Sequence, residues 1–285
     1  LDSPRLIDTN DVPPNQDANG LPPQMEDTKM QKIPMFTGLG TPKSKLSTIK
    51  IQQDGDVFTS LSHVNSKPEN RKIGDVCQTW HLTVQKPSEA YTSGNDSKVC
   101  FDCPFRSKAS GGNGGCYVVT IHGPNGVHSS HRTPEANRPV NQDVQPLPDV
   151  INKPIRFGAY GDPVVMPVEL MRDLASRATG HLGYTHQWLT CDPAYSEFLM
   201  ASIDEATAKQ NGMTVTALAD KAKSMGWRTF RVKSPGDLNM VDEITCPNTT
   251  KGVQCADCGL CAGNTISAKS ITIDAHGTGA ANIAE

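Results

Sequence analysis

Seven of the nine cysteines in this 285-residue chain fall into two tight groups. Cys246-x8-Cys255-x2-Cys258-x2-Cys261 places four thiols near the C-terminus. Cys100-x2-Cys103-x12-Cys116 places three more in the middle. Loops of two residues are too short to pair neighbouring thiols with each other. They suit the aiming of several sulfurs at one inorganic centre. Four thiolates complete one tetrahedral shell or the four corners of a [4Fe–4S] cluster, and the x2-x2 run has ferredoxin-type spacing. Zinc is the alternative. Three thiolates leave one metal position for water, substrate or a further ligand; Cys77, Cys191 or a histidine are the candidates. A single site shared by both groups is a further arrangement. Otherwise Cys77 and Cys191 read as buried apolar thiols.

Other polar residues stand where chemistry gathers. Gly161 and Asp162, in Gly158-Ala159-Tyr160-Gly161-Asp162-Pro163, end a short apolar run with backbone amides and one carboxylate able to hold an ammonium group; a plain strand-to-helix turn is the alternative. The loop lacks the Lys-Ser/Thr of a phosphate cradle and a full GxGxxG, which argues against nucleotide phosphate. His186 and Asp204 also lie at predicted strand ends, where working residues gather in an α/β fold, and are the catalytic candidates; a hydrogen-bonded structural histidine is the alternative for His186. His122, His128 and His131 read as members of a solvated polar loop, with nitrogen ligation as the alternative.

The elements that must position these residues are legible in part. The expectation is a disordered or partner-ordered arm over 1–45, rich in Pro, Asn, Gln and Asp. An α/β core over 46–245 carries the cysteine loop 100–116, and 246–285 is a cysteine cluster with a Gly/Ala/Ser-rich tail. Structure begins weakly near 47–51. Strands are predicted over 76–84, 155–160, 182–186, 198–203 and 228–232, with a further apolar run at 116–121. A polar, Pro-rich connection fills 123–154. Amphipathic helices are predicted over 167–179 and 214–225. Alternation of short strands and helices implies a mostly parallel sheet or partial (βα) barrel with helices outside.

Composition sets limits. The formal charge of −3 gives no global drive toward nucleic acid or anionic membrane. No stretch has the length of a membrane span. The first residues lack the basic start and apolar core of a secretory signal. Clustered, odd-numbered cysteines fit a reducing cytoplasm.

A resemblance enters on the ordered motifs. Cys100-Phe101-Asp102-Cys103-Pro104, Gly115-Cys116-Tyr117-Val118, the 158–163 loop and Gly183-Tyr184-Thr185-His186-Gln187-Trp188 come first. Met200-Ala201-Ser202-Ile203-Asp204, Gly226-Trp227-Arg228-Thr229-Phe230-Arg231-Val232 and the last cysteine run follow. Over about 65–275 these resemble an uncharacterised family of phage, prophage and plasmid proteins. That likeness implies a host-cytoplasmic or virion-associated protein, whose N-terminal arm meets a viral or host protein or nucleic acid. A more distant likeness is to radical S-adenosylmethionine enzymes. It implies one or two [4Fe–4S] clusters, the first on Cys100, Cys103 and Cys116. Tyr117 would lie beside S-adenosylmethionine, and Gly161 and Asp162 would take its amino group. Those enzymes use C-x3-C-x2-C, whereas this chain has C-x2-C-x12-C, and Asp162 stands where Glu is usual. The function expected is therefore that of an iron–sulfur protein, enzymatic or not. The other expectation is a metal-stabilised binding or structural protein.

Overall fold

A computed structural model describes residues 48–66, 70–131, 143–277 and 279–283. The predicted arm over 1–45 lies outside them.

Two five-stranded sheets make the frame. The first opens with an antiparallel hairpin, β1 (Thr48–Asp54) and β2 (Val57–Ser62). β2 pairs antiparallel with β3 (Cys77–Thr83), a strand buried on both faces. Between β3 and the next strand lie α1 (Pro87–Ser93), the one-turn α2 (Ser97–Cys100) and α3 (Gly123–Ser130). Then β4 (Ile155–Tyr160) pairs parallel with β3. The α4 helix (Val168–Arg177) buries Val168, Met171 and Leu174. Each such side chain contributes roughly 1.5–3 kcal/mol of burial. It leads to β5 (His181–Leu182), parallel to β4.

The second sheet starts one residue later with β6 (Tyr184–Thr185). It continues through β7 (Met200–Ile203), α5 (Glu205–Gln210), α6 (Val215–Ser224) and β8 (Thr229–Lys233). β9 (Glu243–Thr245), α7 (Pro247–Lys251), the single turn α8 (Cys255–Cys258) and β10 (Ser270–Asp274) complete it. Its order is β6-β7-β8-β10-β9, and every pair is parallel.

Gly183 alone separates β5 from β6, so one extended stretch leaves the first sheet and enters the second. A Cβ there would stand 2.7 Å from Leu199 Cδ2 and 3.0 Å from Phe157 Cβ. Only glycine lets the two layers close at this crossing. The main core draws on both sheets: Cys77, Ile155 and Phe157 meet Leu199, Ile203 and Trp227, with Met171 and Leu218 from the helices. Parallel strands explain the near-continuous apolar runs in the sequence.

The α/β architecture, mostly parallel, matches the sequence expectation. Several elements do not. The run 116–121 is irregular: Tyr117, Val119 and Ile121 are exposed, and no strand among the described residues pairs with them. The connection over 123–154 begins with α3, whose His128 and His131 are fully buried. His131 Nε2 lies 2.8 Å from Ser60 Oγ, and His128 Nε2 lies 3.1 Å from the Val84 carbonyl. These two histidines serve the packing of α3 on β2 and β3, and do not sit in a solvated loop. His122 alone of the three is exposed.

Candidate metal centres

The C-terminal group is assembled by short turns pinned to distant chain. Cys246 follows β9 directly, and its amide donates to the Thr272 carbonyl of β10 at 2.8 Å. Cys255 and Cys258 are the ends of α8. That turn docks on an earlier loop through Cys255 N to Lys72 O (3.2 Å) and Ala256 N to Ile73 O (2.9 Å). Cys261 O accepts from Gly183 N at 3.1 Å, tying the group to the crossing between the sheets. Arg228 gathers the rest of the loop. Its guanidinium donates to the carbonyls of Leu260, Gly263, Ala268 and Lys269 at 2.7–3.0 Å. The outcome is one small void lined by all four cysteines, with Leu182, Val253 and Ile271 as its apolar wall.

Burial keeps two thiols of that void neutral. It pushes Cys261 and Cys255 up, and the neighbouring cysteines push them further. Side by side, these two resist ionising together unless a positive charge compensates. Arg156 supplies part of that charge. Burial alone would lower its pKa, but Tyr117, Tyr184 and Cys255 outweigh burial and raise it. Its Nη2 donates to Tyr117 Oη at 2.5 Å, and among the described residues no carboxylate makes an ion pair with it. A buried guanidinium without a carboxylate partner is costly unless negative charge lies near. The sequence signal for it is an Arg inside the apolar run Ile155-Arg156-Phe157.

The first group converges on the C-terminal ends of β4, β6 and β7. Asp96 holds it from below: Arg106 donates to Asp96 Oδ1 at 3.1 Å through Nε and 2.7 Å through Nη2, and both partners are largely buried. Cys103 N donates to the Cys100 carbonyl at 3.0 Å. Phe101, inside this turn, has φ +50°, a strained conformation for a residue with a Cβ. Cys116 arrives from the glycine-rich loop, its amide bonded to Phe105 O at 2.9 Å. Burial raises the Cys100 thiol well above its usual range, with Cys103 and Cys116 adding to it. Burial takes Cys116 up to about 11, with Cys103 raising it and His186 lowering it.

His186 reaches this group. Its Nδ1 stands 3.7 Å from Cys103 Sγ, and the ring packs edge-on to Phe105 at 5.3 Å. Nε2 is buried and makes no hydrogen bond; Asp204 Oδ2 lies 3.4 Å away but out of line. Burial would lower the His186 pKa, whereas Cys103 and Asp204 drive it well above the usual value. Asp204 itself caps α5, accepting from Thr207 N (2.7 Å) and Thr207 Oγ1 (2.8 Å).

Gly161 and Asp162 are clasp residues in this arrangement. A Cβ on Gly161 would meet His81 Cβ at 2.7 Å, and Asp162 N donates to Val99 O at 2.6 Å, next to Cys100. The Asp162 carboxylate accepts from Thr185 Oγ1 (2.7 Å), His186 N (2.9 Å) and Val164 N (3.2 Å). Burial raises its pKa, and the bonds from Thr185 and His186 oppose that rise. Tyr117 points instead to Arg156 and stacks on His276 at 6.5 Å.

The two isolated cysteines behave as apolar thiols. Cys77 lies in the main core and Cys191 packs against it; burial takes both up to about 12. All nine cysteines are free thiols. Among the described residues, no three His, Cys, Asp or Glu side chains stand at the mutual spacing a single metal ion needs. Capture of an ion would therefore draw the thiols inward from where they stand. No helix among the described residues is long and apolar enough to cross a membrane.

No family model, no curated protein and no solved structure matches this chain.

Proposed function

We propose that the chain is a metal–thiolate protein in which two centres fasten cysteine loops onto an α/β frame, making a rigid surface for a partner. The observation that carries this is the convergence of Cys246, Cys255, Cys258 and Cys261 on one void, with Arg156 and Arg228 beside it. The x2-x2 spacing makes an iron–sulfur cluster the proposed occupant there, with zinc as the competing ion. When bound, either would supply cross-linking and negative charge, and the cluster would also supply electron transfer. The chain's own residues would hold it: four thiolates, two guanidinium counter-charges and an apolar wall that keeps water off the sulfurs. The phage-type motifs favour a viral or replication-associated role in the host cytoplasm, where free thiols persist. The arm over 1–45 is the proposed contact to a viral or host protein or nucleic acid.

The second reading, a radical S-adenosylmethionine enzyme on Cys100, Cys103 and Cys116, rests on the Tyr160-Gly161-Asp162-Pro163 turn. It asks the Asp162 carboxylate to take the cofactor's amino group. Three internal donors already occupy that carboxylate. The cost of breaking them favours the binding reading. The test is anaerobic purification of the full chain with metal analysis and absorption spectroscopy. A brown protein with iron supports a cluster; a colourless one with stoichiometric zinc supports the all-zinc form. Cleavage of added S-adenosylmethionine by the reduced protein would restore the enzymatic reading.

A further inference from the structure

We infer that the Tyr117 and His276 rings are the two walls of a slot for one nucleobase, with Lys72 placed to meet the phosphate that the base carries. This goes beyond the metal–thiolate reading and stands independently of the ion the cysteines hold.

The spacing of the rings carries the inference. Tyr117 and His276 lie 26° from parallel with centroids 6.5 Å apart. Tyr184 and Phe230 show closed contact in the same chain, at 13° and 4.4 Å. The first pair is about 2 Å wider than the second. Bases stack at ~3.4 Å per step, so a ring sandwiched between two others needs ~6.8 Å between its neighbours. The Tyr117–His276 separation is close to that.

Both rings are exposed, Tyr117 by 42%, and both are fixed at their polar atoms. Tyr117 Oη accepts from the Arg156 guanidinium at 2.5 Å. His276 Nδ1 lies 2.9 Å from the Asp274 carbonyl, two residues past the end of β10, and Nε2 lies 2.9 Å from Lys72 Nζ. The carbonyl only accepts and the ammonium only donates, so both ring nitrogens are committed. The segments beneath are tied as well. Asn113 Nδ2 donates to Asn282 O at 2.8 Å, and Asn282 Nδ2 donates to Gly114 O at 3.2 Å. A Cβ on Gly277 would stand 3.5 Å from Tyr117 Cβ, so the two backbones close the floor. Walls held in this way lose little freedom when a ligand enters.

Charge selects the occupant. Arg156 stands behind one ring and Lys72 beside the other, and among the described residues neither makes an ion pair with a carboxylate. A nucleotide brings both a flat ring and negative charge; an aromatic side chain brings only the ring. Every base has a π-face, so the slot is tolerant of sequence. The formal charge of −3 provides no broad field, so the grip is local.

The test is fluorescence anisotropy of a labelled single-stranded oligothymidine with the full chain at low salt. A strand of the same length made wholly of abasic sites is the control, and thymidine monophosphate is titrated alongside by ligand-observed NMR. The intact strand should bind at least about 5-fold more tightly than the abasic one. Tyr117→Ala and His276→Ala should each weaken binding by about 5–100-fold. Tyr117→Trp and His276→Phe should keep most of the affinity, which separates lost stacking from lost folding. Lys72→Ala should weaken intact and abasic strands alike and reduce the salt slope by about 0.7. A monophosphate bound as tightly as the strand supports the slot and assigns it to free nucleotides; a strand bound more tightly supports it and assigns it to nucleic acid. Alanine variants that bind like wild type overturn the inference. So does a wild-type chain that binds neither the monophosphate nor the intact strand above the abasic one.

Discussion

Asp162 accepts three hydrogen bonds, and two of them come from the segment that delivers His186. Its work is to position the end of β6 against β4. Asp162→Asn keeps the shape but puts an NH2 where an acceptor is required, against a buried donor. A loss of about 2 kcal/mol in unfolding free energy is expected by urea titration, because one buried donor goes unsatisfied. Phe101 carries strain as well as packing. It is 36% exposed, so most of its ring is still covered, while its φ is +50°. Phe101→Gly relieves the strain but gives up that burial, and a net loss of about 1 kcal/mol is expected in the same measurement. The cysteine groups were legible because their spacing is local. The Cys103–His186 contact was not, because 83 residues separate the partners and only the parallel strands bring them together. The sequence marked His186 and Asp204 as strand-end residues with a catalytic role. The structure sets His186 Nδ1 3.7 Å from Cys103 Sγ and makes Asp204 the cap of α5 through Thr207.

Elements were legible where their residues meet a partner of matching pattern. β4, β7, β8, α4 and α6 fall within about two residues of the expected bounds. The apolar run at 116–121 has β-branched residues but no sheet edge to join, so propensity lost to topology. β10 is hidden in a Gly/Ala/Ser-rich tail, and of the β1–β2 hairpin only the weak start near 47–51 is legible, because its turn at Gly55 gives little signal. Two predictions test how the sheets hold together. Arg231 makes a bidentate pair with Glu243 at 2.7 and 2.8 Å, buried across β10. Arg231→Met should cost roughly 3–5 kcal/mol by leaving Glu243 uncompensated, whereas Arg231→Met with Glu243→Leu should recover most of it. His81, fully buried on β3 and 3.0 Å from Thr59 Oγ1, has its pKa lowered by burial to about 3. The unfolded chain takes that proton below about pH 6.5. Between those limits the unfolded state binds more protons, so stability is intact above pH 6.5 and falls as the solution is acidified. The decline is about 1.4 kcal/mol per pH unit and on the order of 5 kcal/mol in full. His81→Gln should flatten that part of the stability profile in thermal melts run from pH 7 to pH 4.

At the scale of the molecule, the two cysteine groups lie in segments with little regular structure. Residues 246–261 contain only one-turn helices and tie loop 70–74 to the crossing at Gly183. The first group joins the 94–116 loops to the ends of β4, β6 and β7. Each region packs on a small apolar cluster apart from the main core, Cys100 against Trp80, Val99 and Tyr160, and Cys255 and Cys261 against Ile73, Val76 and Leu182. Metal at these places would add the cross-links that short helices cannot provide. The α/β frame was readable because apolar periodicity reports burial directly. The arrangement of the two sheets was not, since it turns on one glycine. The most direct measurement is native mass spectrometry of the full chain, purified without oxygen or chelator. The account predicts a mass excess equal to two metal centres per chain, reduced to one in Cys258→Ser and in Cys103→Ser. A wild-type mass equal to that of the bare chain, whether its thiols are free or joined as disulfides, would contradict it.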